Sequence, residues 1–394
     1  MAGNDVVITG IGLLSSLGEG ADAHWQALNS TAGPSLETQK FAPYVVHPLV
    51  PVDWNMQIQR RSDQRQMETW QRIGTYSAGL ALADAGLKEN LDLVSTMDMI
   101  VAAAGGERDI AVDTQILEAS RLRNDREIML NEKLTTELRP TLFLAQLSNL
   151  LAGNISIVHN VTGSSRTFMG EEGAGIAAMQ TAYARIRAEQ STHVLVGGAL
   201  NAEHKDVFLS YELAQFLQRD GWSSVWSRHE RRGGGVITGS GGAFIVLESR
   251  GHAEARGARI YAQLSAIAGN QTRRSAGGLQ ASIAALLAKV DPQASAQLAI
   301  SAASGAHDAT SAEKAALDKV RGLAIRGFSS LTGHLKEAQM PMAIALAALS
   351  VHKGKVFPAI DPKAEYPGEA HADAALAVVT GFSRSEGAAL VAKA

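Results

Sequence analysis

Short apolar runs bounded or interrupted by glycine recur along this chain and alternate with stretches of helical periodicity. VVITGIG at 6–12 is the first. MDMIVAAAGG at 97–106, THVLVGGAL at 192–200, GGAFIVLE at 241–248, LAISAASG at 298–305 and AALAVVTGF at 374–382 follow it. A strand that is apolar on both faces must be covered on both faces, so these runs demand sheets sandwiched between helices. The intervening segments supply the helices. Between 60 and 87, Trp70, Ile73, Ser77, Leu80 and Ala81 fall on one helical face, with Gly86 placed to end it. GAGIAAMQTAYARIRAEQ at 173–190 and MPMAIALAALSVHKG at 340–354 carry the same period, the latter with Pro341 in its first turn. Further strands are expected over 257–267 and at the C-terminal AALVAKA. The class is α/β.

With 394 residues, 46% of them hydrophobic, the chain can bury a large core, as one big α/β unit or as two units. No Pro/Ser linker separates them, so they are expected to pack intimately. The short charged stretch SRGHAEARG sets the boundary, giving halves of 1–250 and 251–394. A net charge of −3 favours neither nucleic acid nor an anionic membrane as partner. The N-terminus lacks the basic region of a signal peptide, and MAIALAALSV is too short to span a bilayer. A cytoplasmic protein is expected.

Several chemistries drop out. The chain has no cysteine, which removes disulfides, thiolate metal sites and any cysteine nucleophile. TGIGLLSSLG places Ser15 where a dinucleotide loop needs its third glycine. Neither a P-loop nor a G-x-S-x-G elbow occurs, and no histidines stand at metal-ligand spacing. No cofactor and no metal are expected. One stretch asks for explanation: RTFMGEEGAGIAAMQ, 166–180, sets Glu171 and Glu172 at the entrance of a helix that otherwise reads as buried. First-turn acids suit a helix N-terminus electrostatically, by about 0.3–1 kcal/mol.

Five separated segments resemble, in order, the β-ketoacyl-acyl-carrier-protein synthases, the condensing enzymes of the thiolase fold. They are VVITGIGLLSSLG, HVLVGGA, GGVITGSGGAFIVLE, GHAEARGARIYAQL and LTGHLKEAQMPMAIALAALSVHKGKVFP. The resemblance implies a five-layer αβαβα architecture of two similar halves, and a dimer joined through the strand HVLVGGAL. It also implies four site positions: a cysteine at a helix N-terminus that takes the acyl chain, two histidines and a lysine. Counted forward from Gly163 and back from Gly197, the cysteine position falls on Glu172. The first histidine falls on Ala303, with His307 four residues on as a substitute; the lysine falls on Ser329; the second histidine is His334.

The implied role is therefore a non-condensing subunit of fatty-acid or polyketide assembly, similar to a chain-length factor. Its partners would be an acyl carrier protein and a cysteine-bearing ketosynthase, or a second copy of itself. A malonyl-carrier-protein decarboxylase is the alternative, and a degenerate homodimeric binding protein the third reading. Carrier-protein docking is assigned to Arg60, Arg61 and Arg65, with Arg228, Arg231 and Arg232 as a second basic group.

Overall fold

The computed structural model describes residues 4–230, 234–274 and 277–394. Its frame is a mixed sheet of eleven strands. These are β1 (Val6–Ser15), β2 (Gly18–Glu19), β3 (Asp98–Ala103), β4 (Ser165–Met169), β5 (His193–Leu200), β6 (Gly241–Ser249), β7 (Ala262–Asn270), β8 (Leu298–Ser301), β9 (Ala324–Gly327), β10 (Ala374–Thr380) and β11 (Glu386–Ala392). Outward from the centre, one wing runs β1-β6-β5-β3-β4 and the other β7-β11-β10-β8-β9. Numbered within each wing, both read 1-5-4-2-3. The first two pairings of each wing are antiparallel and the last two parallel. The two halves thus repeat one topology, joined where Val7 and Ile8 pair antiparallel with Gln263 and Ala262.

Among the helices that cover the wings are α1 (Thr69–Asp84), α2 (Leu150–His159), α3 (Glu172–Arg187), α4 (Gly278–Val290), α5 (His307–Leu317) and α6 (Gln339–Lys353). α3 and α6 pack on each other and on strands of both wings, forming the middle layer. Residues 339–351 of α6 are all buried, which explains why this helix is apolar all round. α1 and α2 close the outer face of the first wing around Leu82, Val101 and Ile155; α4 and α5 close the second around Ile283, Leu317 and Val378. The result is the expected αβαβα stack.

Three local expectations are corrected. The 60–87 stretch is two helices, Arg61–Gln66 and α1, because Met67 is extended and Gln71 Oε1 accepts the Glu68 backbone N–H to start a new helix. The strand expected from 257 begins at Ala262. β5 cannot join two subunits edge to edge: β3 and β6 occupy both its sides. The open strand edge of that wing belongs to β4, paired with β3 alone among the described residues.

Candidate active site

Both central helices begin at one place, and the candidate site lies between their N-termini. β4 leads through Gly170 into Glu172, the first residue of α3. Glu172 is fully buried, and its Oε1 accepts the Phe382 backbone N–H at 3.1 Å. His334 approaches from the other half. The segment holding it is fixed by backbone bonds, His334 N–H to Ile237 O at 2.8 Å and Gly239 N–H to His334 O at 3.1 Å. Its Nε2 faces Glu172 Oε1 at 3.0 Å, both side chains buried. The contact is close but off the line of an N–H···O bond, and Glu172 Oε2 has no hydrogen-bond partner.

Gln339, the first residue of α6, orients the histidine. Its Nε2 lies 3.1 Å from Ala302 O, from Ser329 Oγ and from His334 Nδ1. A carbonyl can only accept, so the nitrogen of the amide points this way. That makes Nδ1 of a neutral His334 the acceptor and leaves its proton on Nε2, facing Glu172. Ser329 thus stands in a neutral network where the resemblance placed a lysine. Ala303 is buried and brings no donor to the site beyond its backbone.

Two further ionisable groups surround the pair. Glu337 is buried, and desolvation raises its pKa to about 7; Lys336 opposes this and the charges of Glu172 and Glu171 add to it. Tyr211 is buried, and its phenol is pushed well above 10 by desolvation and by Glu172, Glu337 and Glu171. Tyr211 stands edge-on to His334 with ring centroids 6.1 Å apart, and Phe382 closes the third side at 5.0 Å from Tyr211 and 5.9 Å from His334. Lys336 lies over the outer face of Tyr211 at 4.8 Å.

Of the positions expected from sequence, the structure brings Glu172, His334 and Ser329 together. His307 begins α5 and makes no hydrogen bond or ion pair with Glu172 or His334 among the described residues. Glu171 accepts from Ser383 Oγ at 2.8 Å, so the paired acids bind adjacent residues of the 382–383 loop. Arg60, Arg61 and Arg65 are exposed. Arg228 is fully buried, which removes it from any docking surface; Arg231 and Arg232 lie outside the described residues. Sequence reasoning missed Phe382, Glu337, Tyr211 and Gln339. The only signal for Glu337 and Gln339 was their place in the LTGHLKEAQ segment beside His334.

The family model "Beta-ketoacyl synthase, N-terminal domain" matches residues 3–253. The chain belongs to the beta-ketoacyl synthase family. Among curated relatives of this synthase-family chain, 3-oxoacyl-[acyl-carrier-protein] synthase 2 of Rhizobium meliloti (strain 1021) is 26% identical over 280 residues. That match covers 66% of this chain but 62% of the relative's length. The tetracenomycin polyketide synthase ketoacyl synthase beta subunit of Streptomyces glaucescens is 25% identical over 421 aligned positions, covering 98% of each chain. In three dimensions the ishigamide ketosynthase/chain length factor superposes over 99% of both chains with a TM-score of 0.80 at 19% identity. The thiolase-like ketosynthase fold is thus common to this chain and that neighbour. Among the described residues, no helix is long and apolar enough to cross a membrane, and no group of His, Asp and Glu is arranged to hold a metal.

Proposed function

We propose that this chain is a non-condensing subunit of fatty-acid or polyketide assembly, of the chain-length-factor type. The observation that carries the reading is the Glu172 carboxylate: it sits at the start of α3, takes the Phe382 N–H for itself and faces His334. A ketosynthase needs a soft nucleophile there, free to form a thioester whose oxyanion accepts nearby N–H groups. Here the nucleophile is replaced by a carboxylate, and a donor that could hold an oxyanion is already bound to it. Helix-terminal N–H groups tolerate that anion without making it a useful acyl carrier. Support also comes from two relatives matched over nearly their full length, a ketoacyl synthase beta subunit and a ketosynthase/chain length factor.

In this reading a cysteine-bearing ketosynthase completes the active pair, and an acidic acyl carrier protein docks on Arg60, Arg61 and Arg65. The site residues act by position: Glu172 fills the attachment point, His334 faces it and is oriented by Gln339, and Ala303 and Ser329 withhold the remaining catalytic groups. The test is reconstitution. The chain alone should form no 3-oxoacyl product from acyl- and malonyl-carrier protein, and should co-elute with a cysteine-bearing ketosynthase encoded beside it. Condensation by the chain alone overturns the proposal. Conversion of malonyl- to acetyl-carrier protein, lost in His334→Ala, would move it to the decarboxylase reading. Arg60→Glu with Arg61→Glu and Arg65→Glu should weaken carrier-protein binding at low salt; unchanged affinity removes the docking assignment.

A further inference from the structure

One buried charge among the described residues plays no part in the proposed role of Glu172 and His334. Arg228 is fully buried, and only its Nε is engaged, donating to Ser223 O at 3.0 Å. Nη1 and Nη2 have no hydrogen-bond partner. No acidic side chain among the described residues forms an ion pair with it. Its ionisable neighbour His47 brings no compensating charge: burial, and then the charge of Arg228, depress the His47 pKa to about 3. Burial lowers Arg228 as well, to about 9, which leaves it charged at neutral pH. A buried charge without partner is among the most expensive features a fold can keep, and proteins neutralise it.

The surroundings show a built place rather than a packing accident. Gly235 and Gly305 meet backbone to backbone beside Arg228. A Cβ on Gly235 would lie 2.0 Å from Gly305 O, and one on Gly305 would lie 2.2 Å from Gly235 O. Both have positive φ, +82° and +91°, so glycine is required twice over. The Gly305 position also touches Arg228 Cδ at 3.1 Å, and the Gly235 position touches His307 Cδ2 at 3.0 Å. Arg228 and His307 therefore flank the same glycine contact. His307 Nε2 and Ser223 Oγ are likewise buried without a partner.

We propose that Arg228 anchors a buried site for a small monoanion, of carboxylate or halide size, flanked by Ser223 and His307. Two free nitrogens of one guanidinium form a planar fork that matches two carboxylate oxygens. A hydroxyl and an imidazole nitrogen add donors. Arg228 is fully buried, so the occupant proposed is a small one. The carboxylate could be free in solution or be the end of a short thioester-linked acyl group; the chemistry recognised is the same. Arg228 makes no hydrogen bond or ion pair with Glu172 or His334 among the described residues, and the test does not depend on any condensing role.

The experiment measures the melting temperature of the full chain in a gluconate buffer at constant ionic strength. Sodium formate, sodium chloride and malonyl-pantetheine are titrated in separate arms. A ligand that binds only the folded state raises stability in a saturable way. The expected result is a saturable rise with formate or chloride that is absent in Arg228→Met. A rise with malonyl-pantetheine alone, again lost in Arg228→Met, assigns the anion to a tethered carboxylate. No rise in any arm, or an equal rise in Arg228→Met, overturns the proposal. Should Arg228→Met fail to fold, crystals of the unaltered chain grown with bromide decide. An anomalous peak within hydrogen-bonding distance of Nη1 or Nη2 supports the site, and only water there sinks it.

Discussion

The two halves share one strand order but finish their outer edges differently. In the second half, the crossover from β8 to β9 holds α5, whose Ala309, Ala316 and Leu317 are buried, and the edge strand β9 is buried throughout. Arg326 on that strand donates to Phe357 O, Tyr366 O and Pro367 O, so a later segment of the chain covers the edge. In the first half, the crossover from β3 to β4 adds the helices Ile110–Leu122 and Arg126–Thr136. These leave Leu117, Leu122 and Ile128 exposed, Leu122 at 88%. Its edge strand β4 is exposed as well. Duplicating a topology therefore does not duplicate a surface. An open strand edge and exposed Leu117, Leu122 and Ile128 are the kind of surface that other chains pair with, and this agrees with the partnered role proposed above.

The comparison can be broken at several points. The largest effect is expected in the shared middle layer: Leu346→Ala in α6, which is fully buried, should cost about 2–5 kcal/mol in urea unfolding, as large-to-small core changes do. A loss below about 1 kcal/mol would mean the central layer is not the packed core described.

Next comes a pH effect at Glu337. Its folded pKa, about 7, lies above the unfolded value near 4.5. The folded chain therefore binds this proton more tightly, and the group's contribution is fully present below the unfolded pKa and is lost as pH rises towards 7. Glu337→Gln should thus stabilise the protein relative to wild type at pH 8 more than at pH 5, by on the order of 2 kcal/mol. An equal difference at the two pH values would show that Glu337 is not desolvated.

The contact across the halves is a smaller term. A double-mutant cycle of Glu172→Gln and His334→Leu should give a coupling of about 0.5–3 kcal/mol; additive losses would show that the 3.0 Å approach carries no energy. The smallest effect belongs to the unfinished surface. Leu122→Glu should leave the stability of the isolated chain within about 0.5 kcal/mol, yet reduce co-elution with a ketosynthase partner. A strongly destabilised Leu122→Glu chain would mean the crossover is part of this chain's own core.

Much of the frame was legible in the sequence. β1, β5 and β6 announce themselves because strands buried on both faces are continuous apolar runs. β4 did not, since SRTFM at a sheet edge lacks that pattern. The helices at 110–136 were also missed: they bury only Val112 and Met129, so their apolar residues follow no core-facing stripe. Glu172 and His334 were found through the resemblance and stand together. Phe382 was not, because a backbone N–H 210 residues from its acceptor leaves no trace in either local sequence.

The sequence by itself determined the α/β class, the alternation that forces helices onto both faces of the sheet, and the absence of a cysteine nucleophile, since these depend on local pattern and residue type. Only the tertiary structure decided that Glu172 meets His334 and the Phe382 N–H, that Glu337 and Tyr211 lose their solvent, and that Arg228 is interior rather than a docking charge. Desolvation and partnering arise when segments distant in sequence close on one another, and a side chain's charge state and reach follow from that closure.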